Sequence, residues 1–136
     1  MRMKVKESEL IDCIVRPLGQ RLTPGDVVCL EGEMGSGKTT FVRYFCQERG
    51  IQEVSSPTFN LAHVYEGKMR VYHLDLYRLH SEDDLYSMDI LRYLNPTDGI
   101  TFIEWPDRLG RLMPDHAIKM TFGYVDVDTR EIYISE

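Results

Sequence analysis

One stretch leaves this chain few options: Gly32-Glu33-Met34-Gly35-Ser36-Gly37-Lys38-Thr39, a glycine, four residues, then Gly-Lys-Thr. That spacing is the phosphate-binding P-loop. A phosphate chain is held by backbone N–H groups at close range, and side chains would block the approach. Glycines at 32, 35 and 37 permit the tight turn and the left-handed conformations that aim those groups inward. Lys38 then supplies a mobile positive charge for the outer phosphates, and the Thr39 hydroxyl is a ligand for Mg²⁺. The helix that follows presents its positive N-terminus to the same anion.

The flanks agree with this reading. Asp26 to Glu31 is a short apolar run after Pro24-Gly25 and predicts a buried strand. Thr39 to Arg49 carries Phe41, Val42 and Phe45 at helical spacing, and Gly50 is placed to end that helix. Further along, residues 8–22 predict a first helix that Pro17 kinks or ends. Segments 59–65 and 69–76 around Glu66-Gly67-Lys68 predict a hairpin. Ser81 and Asp84 resemble a capping box opening one helix with Leu85, Met88, Leu91 and Leu94, stopped at Asn95-Pro96. Gly99 precedes a second buried strand, Ile100 to Glu104, and residues 117–125 and 131–135 predict another hairpin. The expected architecture is α/β, a three-layer P-loop NTPase fold whose mixed sheet contains antiparallel hairpins, in a single domain over 1–136.

Composition narrows the setting. With 43% hydrophobic residues among 136, the chain has enough apolar material for a core. No run approaches the roughly 20 apolar residues of a membrane span, and no apolar signal region follows the basic start. Cys13, Cys29 and Cys46 are odd in number and form no CxxC pair, which predicts a reducing, cytoplasmic setting. A formal net charge of −6 without a Lys/Arg block disfavours direct nucleic-acid binding.

A P-loop binds phosphate, but hydrolysis needs an acid on the Mg²⁺ side and a group that orients the attacking oxygen. Glu104 ends an apolar strand, the pattern that brings an acid to the phosphate crevice; the plain alternative is a surface Glu at a strand end. Asp75 ends another apolar strand, and either orients water or Mg²⁺ or pairs with Arg78. Thr40 and Thr58 add hydroxyls that also serve as caps. Trp105 either stacks near the nucleotide or fills core. His73 reads as a satisfied core histidine. Asp107-Arg108-Leu109-Gly110 mimics a GTPase motif, but no guanine-reading sequence accompanies it.

GEMGSGKTT (32–40), SSPTFNL (55–61), VYHLDLYRL (71–79) and FIEWPDRL (102–109), in that order, closely resemble the bacterial TsaE family. These are small P-loop ATPases of tRNA threonylcarbamoyladenosine biosynthesis. The resemblance runs from about Ser8 to the last hairpin. It implies an ATPase accessory to the heterodimer that attaches threonylcarbamoyl to N6 of adenosine 37 in tRNAs reading ANN codons, with tRNA reached only through partners. ATP hydrolysis would support repeated turnover, slow alone and activated by those partners.

By the same resemblance Lys38 and Thr39 hold phosphate and Mg²⁺, and Thr40 adds a phosphate contact. Glu104 is the Mg²⁺-side acid, Asp75 an acid needed for hydrolysis, and Trp105 an aromatic near the nucleotide. Glu33, Gly35, Ser36 and Gly37 belong to the nucleotide loop, and Ser56, Pro57 and Thr58 to a switch-like loop. Glu33, Met34 and Ser36 stand where the family's GDLGAGKT has Asp, Leu and Ala, and the C-terminal end is short. Two rival readings remain at this level: a small-molecule kinase, and a nucleotide-gated binding module without meaningful hydrolysis.

Overall fold

The apolar run before the phosphate loop is the strand around which the sheet is built. In the computed structural model, which describes residues 1–54 and 62–135, β1 (Arg2–Lys6) leads through a 3-10 turn (Glu7–Glu9), a π turn (Ile11–Val15) and α1 (Arg16–Arg21) to β2 (Val27–Gly32). α2 (Lys38–Glu48), β3 (Gln52–Val54), β4 (Ala62–Glu66), β5 (Arg70–Asp75), α3 (Glu82–Ser87) and α4 (Ile90–Leu94) follow. β6 (Gly99–Glu104), a 3-10 segment (Pro106–Leu112), β7 (Ile118–Asp126) and β8 (Thr129–Ile134) complete the order.

The described strands form one mixed sheet in the order β1-β8-β7-β2-β6-β5-β4-β3. β2 is parallel to both neighbours, and Leu30 stands in register with Glu104 on one side and Met120 on the other. β5 is parallel to β6, with Asp75 opposite Glu104, whereas β4–β5 and β7–β8 are the two expected antiparallel hairpins.

Because side chains alternate across a strand, β2 feeds two cores. Val28 and Leu30 pack with Leu18, Phe41 and Phe45 on the α1–α2 side; Val27 and Cys29 pack with Leu85, Ile90, Leu94 and Leu109 on the other. Helices on both faces make the three layers expected. The Phe45 and Phe102 rings meet edge to face at 5.0 Å, and Phe41 lies 5.7 Å from Phe102 and 5.8 Å from Phe122. Each such pair adds about 0.5–1.5 kcal/mol to the burial itself. Together they bolt α2 to β6 and β7, directly behind the phosphate loop.

Several local expectations are corrected. Pro17 does not end the helical stretch, which runs on through α1 to Arg21; just before it the turn widens, the Arg16 N–H bonding five residues back to the Ile11 carbonyl. The single helix expected from Ser81 is two short ones, broken at Asp89, whose φ of 58° is left-handed. Leu91 is therefore on the surface. The capping box does not form. Asp is one methylene shorter than the usual Glu; Asp84 Oδ2 accepts from the His80 N–H, and the Ser81 hydroxyl makes no cap bond. β1 and β3 are strands that no pattern in the sequence announced.

Gly99, where β6 enters the sheet, is required by crowding. A Cβ there would lie 2.0 Å from the Arg70 carbonyl oxygen on β5. Gly99→Ala is expected to destabilise the protein by about 1–3 kcal/mol, read as a lower denaturant midpoint. A midpoint equal to that of the unaltered protein would contradict this packing.

Candidate active site

Two parallel strands ending side by side create the site. The C-terminal ends of β2 and β6 open into one crevice, where the loop after β2 and the acid at the end of β6 meet. Within the loop, Gly35 and Gly37 adopt φ of 78° and 105°, and a Cβ at either would meet nothing within 4 Å. Both therefore face open space, and the backbone angle is what calls for glycine. Gly32 is needed for room: its Cβ would lie 2.6 Å from the Phe122 carbonyl oxygen.

Lys38 opens α2 and folds back over the loop. Its Nζ donates to the Gly32 carbonyl at 2.6 Å and lies 4.0 Å from the Trp105 ring centroid. The residue is only 5% exposed. Burial pushes the ammonium below its ordinary pKa, and the nearby carboxylates of Glu104, Asp75 and Asp107 offset this only in part. An incoming polyanion would relieve that penalty.

Thr39 Oγ1 donates to Glu104 Oε2 at 2.9 Å, and His73 Nε2 lies 2.6 Å from the same oxygen. An ionised carboxylate only accepts, so the facing ring nitrogen carries the proton. Burial alone would raise the Glu104 pKa. The hydrogen bond and charge of His73, the Thr39 hydrogen bond and the Lys38 charge outweigh it and hold the group below the usual carboxylate range. Glu104 is thus a buried, oriented anion beside the phosphate loop, not a surface acid.

Asp75 sits next to it in register on β5. Its Oδ1 accepts from the Tyr77 N–H at 3.1 Å, and among the described residues it forms no pair with Arg78. Of the two readings weighed for Trp105, the structure bears out core packing. Its indole packs against the second core cluster and also faces Lys38, and its φ of 59° turns the chain sharply after the strand.

Residues 35–40, Asp75, Glu104 and Trp105 line one cleft of about 310 Å³. The rest of its lining is mixed, apolar at Val5, Leu10, Met34 and Val127 and charged at Lys6, Glu7 and Asp128. Glu33 is exposed and does not line the cleft; its carbonyl accepts the Ser36 N–H, closing the loop turn. Ser56, Pro57 and Thr58 lie outside the described residues. The residues present fit a nucleoside phosphate. Ser36 Oγ is buried and has no hydrogen-bond partner among the described residues, and the glycine faces of the loop are open. Among the described residues no cluster of three His, Cys, Asp or Glu gathers. Thr39 and Glu104 are the pair that could hold a metal whose other ligands come from phosphate and water, the usual arrangement for Mg²⁺.

The family described as threonylcarbamoyl adenosine biosynthesis protein TsaE matches residues 5–132, nearly the whole chain. The chain belongs to the TsaE family. Its relatives include proteins named tRNA threonylcarbamoyladenosine biosynthesis protein TsaE from Treponema pallidum, Nostoc sp. and Bacillus subtilis. The first is 35% identical over 119 residues, 87% of this chain and 87% of the relative. The Nostoc protein is 39% identical over 123 residues, 87% and 75% of the two chains. The Bacillus subtilis protein is 35% identical over 111 residues, 80% and 68%. A crystal structure of Bacillus subtilis YdiB superposes with a TM-score of 0.73 at 26% identity, covering 97% of this chain and 82% of that one.

His73 is the satisfied core histidine expected, buried and hydrogen-bonded, but its partner is the Glu104 of this TsaE-family cleft, a link that its place two positions before Asp75 on the same strand face could have signalled. One residue of the cleft went unread in the sequence. Arg130, from β8, donates to the carbonyls of Gly35 and Ser36. Nothing local to Arg130 signals that contact, because 95 positions separate it from Gly35.

Proposed function

We propose that this TsaE-family chain binds ATP with Mg²⁺ in the cleft and hydrolyses it in the course of tRNA threonylcarbamoyladenosine formation. The observation that carries the reading is the convergence of Lys38, Thr39 and Glu104 on one point at the ends of two adjacent parallel strands. Lys38 exchanges its Gly32 carbonyl for the β- and γ-phosphates, and the loop N–H groups and Ser36 Oγ take the remaining oxygens. Thr39 and Glu104 would hold Mg²⁺, which when bound neutralises charge on the phosphate oxygens. His73 keeps Glu104 ionised and aimed. Asp75, beside Glu104, orients the attacking water.

In this reading the chain is one ATPase domain that works in the cytoplasm as accessory to a threonylcarbamoyl-transferase heterodimer. Hydrolysis supports repeated modification of N6 of adenosine 37 in tRNAs reading ANN codons. The net charge of −6 favours reaching tRNA through those partners. No helix among the described residues is long and apolar enough to cross a membrane. A kinase would bring arginines over the transferred phosphate, but Arg111 is paired with Glu82 at 2.7 Å, neither it nor Arg108 lines the cleft, and Arg130, which does, is bonded to backbone carbonyls of the loop and its own hairpin.

The test is Mg²⁺-dependent release of phosphate from ATP, by the chain alone and with the heterodimer. Slow release that accelerates several-fold on adding the heterodimer is expected. Release indifferent to the heterodimer, with a soluble acceptor becoming phosphorylated, would establish the kinase instead. Tight binding with no release in either mixture would establish a nucleotide-gated binding module.

A further inference from the structure

The guanidinium of Arg130 bridges the β7–β8 hairpin and the phosphate loop. Its Nε donates to the Ser36 carbonyl at 3.1 Å and its Nη2 to the Gly35 carbonyl at 3.2 Å. Its Nη1 donates to the carbonyls of Asp126 at 2.6 Å and Thr129 at 3.0 Å, within its own hairpin. The Tyr124 ring centroid is 4.7 Å from Cζ. Among the described residues no carboxylate pairs with this cation. It is held by backbone carbonyls on both sides and by one aromatic face, the geometry a planar five-donor fork can satisfy and an ammonium cannot.

The consequence for the loop follows from peptide geometry. The described peptides are all trans, so each N–H points away from the carbonyl of its own peptide unit. Drawing the Gly35 and Ser36 carbonyls toward the hairpin turns the Ser36 and Gly37 N–H groups the other way. The Ser36 N–H closes the turn on the Glu33 carbonyl, and the Gly37 N–H is directed away from the hairpin at the start of α2. Gly35 and Gly37 both sit at positive φ, where a glycine peptide has wide freedom to turn. The turn bond from Ser36 N–H to the Glu33 carbonyl holds the first of these two peptide units from one side, and the charge-assisted clamp holds both by their carbonyls.

We propose that Arg130 is a positioning residue that sets the phosphate loop in its anion-receiving conformation from outside the loop. The role rests on the ATP reading above. It is distinct from direct charge attraction, which a lysine at 130 would preserve.

The test uses the full chain with Arg130→Gln and Arg130→Lys, measuring ATP and adenosine affinity by displacement of a fluorescent ATP analogue. Amide hydrogen exchange at residues 35–37 is followed without nucleotide. Both variants are expected to bind ATP about tenfold more weakly with adenosine affinity unchanged. Exchange at Ser36, whose N–H is bonded to the Glu33 carbonyl, is expected to quicken while exchange in β2 and β6 stays slow. With Arg130→Ala, free guanidinium at matched ionic strength is expected to recover part of the ATP affinity. Wild-type affinity in Arg130→Lys would overturn the clamp, as would unaltered exchange at 35–37 in Arg130→Gln. Failure of the unaltered protein to bind ATP would remove the function proposed above, and the exchange measurement would still decide whether Arg130 holds the loop.

Discussion

Lys38→Ala is expected to bind ATP at least about a hundredfold more weakly than the unaltered chain, because charge-assisted hydrogen bonds to phosphate are each among the stronger ones available. The same variant is expected to melt within a few degrees of the unaltered chain. The reason lies in the unliganded site. Lys38 is buried there with its pKa pushed down by burial, so its charge is held at a penalty and its removal relieves that penalty. Its one hydrogen bond goes to the Gly32 carbonyl, at the half-buried end of β2. Calorimetric titration with ATP and a thermal melt on the same preparation check both halves. Unchanged ATP affinity with a native circular dichroism spectrum would overturn the assignment of the site.

Glu104→Gln is expected to lower Mg²⁺-dependent hydrolysis by about a hundredfold or more while leaving ATP binding without Mg²⁺ intact or slightly tighter. The substitution preserves shape. Thr39 and His73 both donate to Oε2, and the amide oxygen can take that place and accept both bonds. What disappears is the negative charge that would hold Mg²⁺ and that repels the phosphates. A second readout comes from acid unfolding. Because the native Glu104 pKa lies below its ordinary value, the unfolded chain binds more protons in the window between the two. That contribution to stability is present above the ordinary carboxylate pKa and is lost as pH falls through the lower native one. In Glu104→Gln this part of the acid limb is expected to vanish. Hydrolysis equal to that of the unaltered chain would remove Glu104 from the metal side of the site.

What could be read from the residues was whatever is written locally. The order of apolar run, glycine loop and helix at 26–49 encodes its own geometry, and so do the two hairpins, whose strands are separated by a few turn residues. The position of Glu104 was legible for the same reason, since an acid closing an apolar strand has few places to point. The contacts that finish the site are of another kind. β1 alternates Met3 and Val5 with Arg2, Lys4 and Lys6, too short a pattern to stand out until β8 pairs with it from more than 120 positions away. The Arg130 bonds to the loop span 94 and 95 positions. Asp89 broke an expected helix because Asp tolerates the left-handed region, and a Leu/Met period is unaffected by one such residue.

The strand order also dictates when in the life of the polypeptide the site can exist. β2 precedes both of its hydrogen-bonding neighbours, β6 and β7, by some 70 to 90 positions, and the arginine that grips the loop lies later still. Such pairings close large loops and are formed slowly. On a ribosome, the glycine loop is synthesised early and remains a strand end without a sheet until β6 and β7 have emerged. In the function proposed above, nucleotide binding is therefore a property that the chain acquires last, and capture of ATP would report that its folding has been completed.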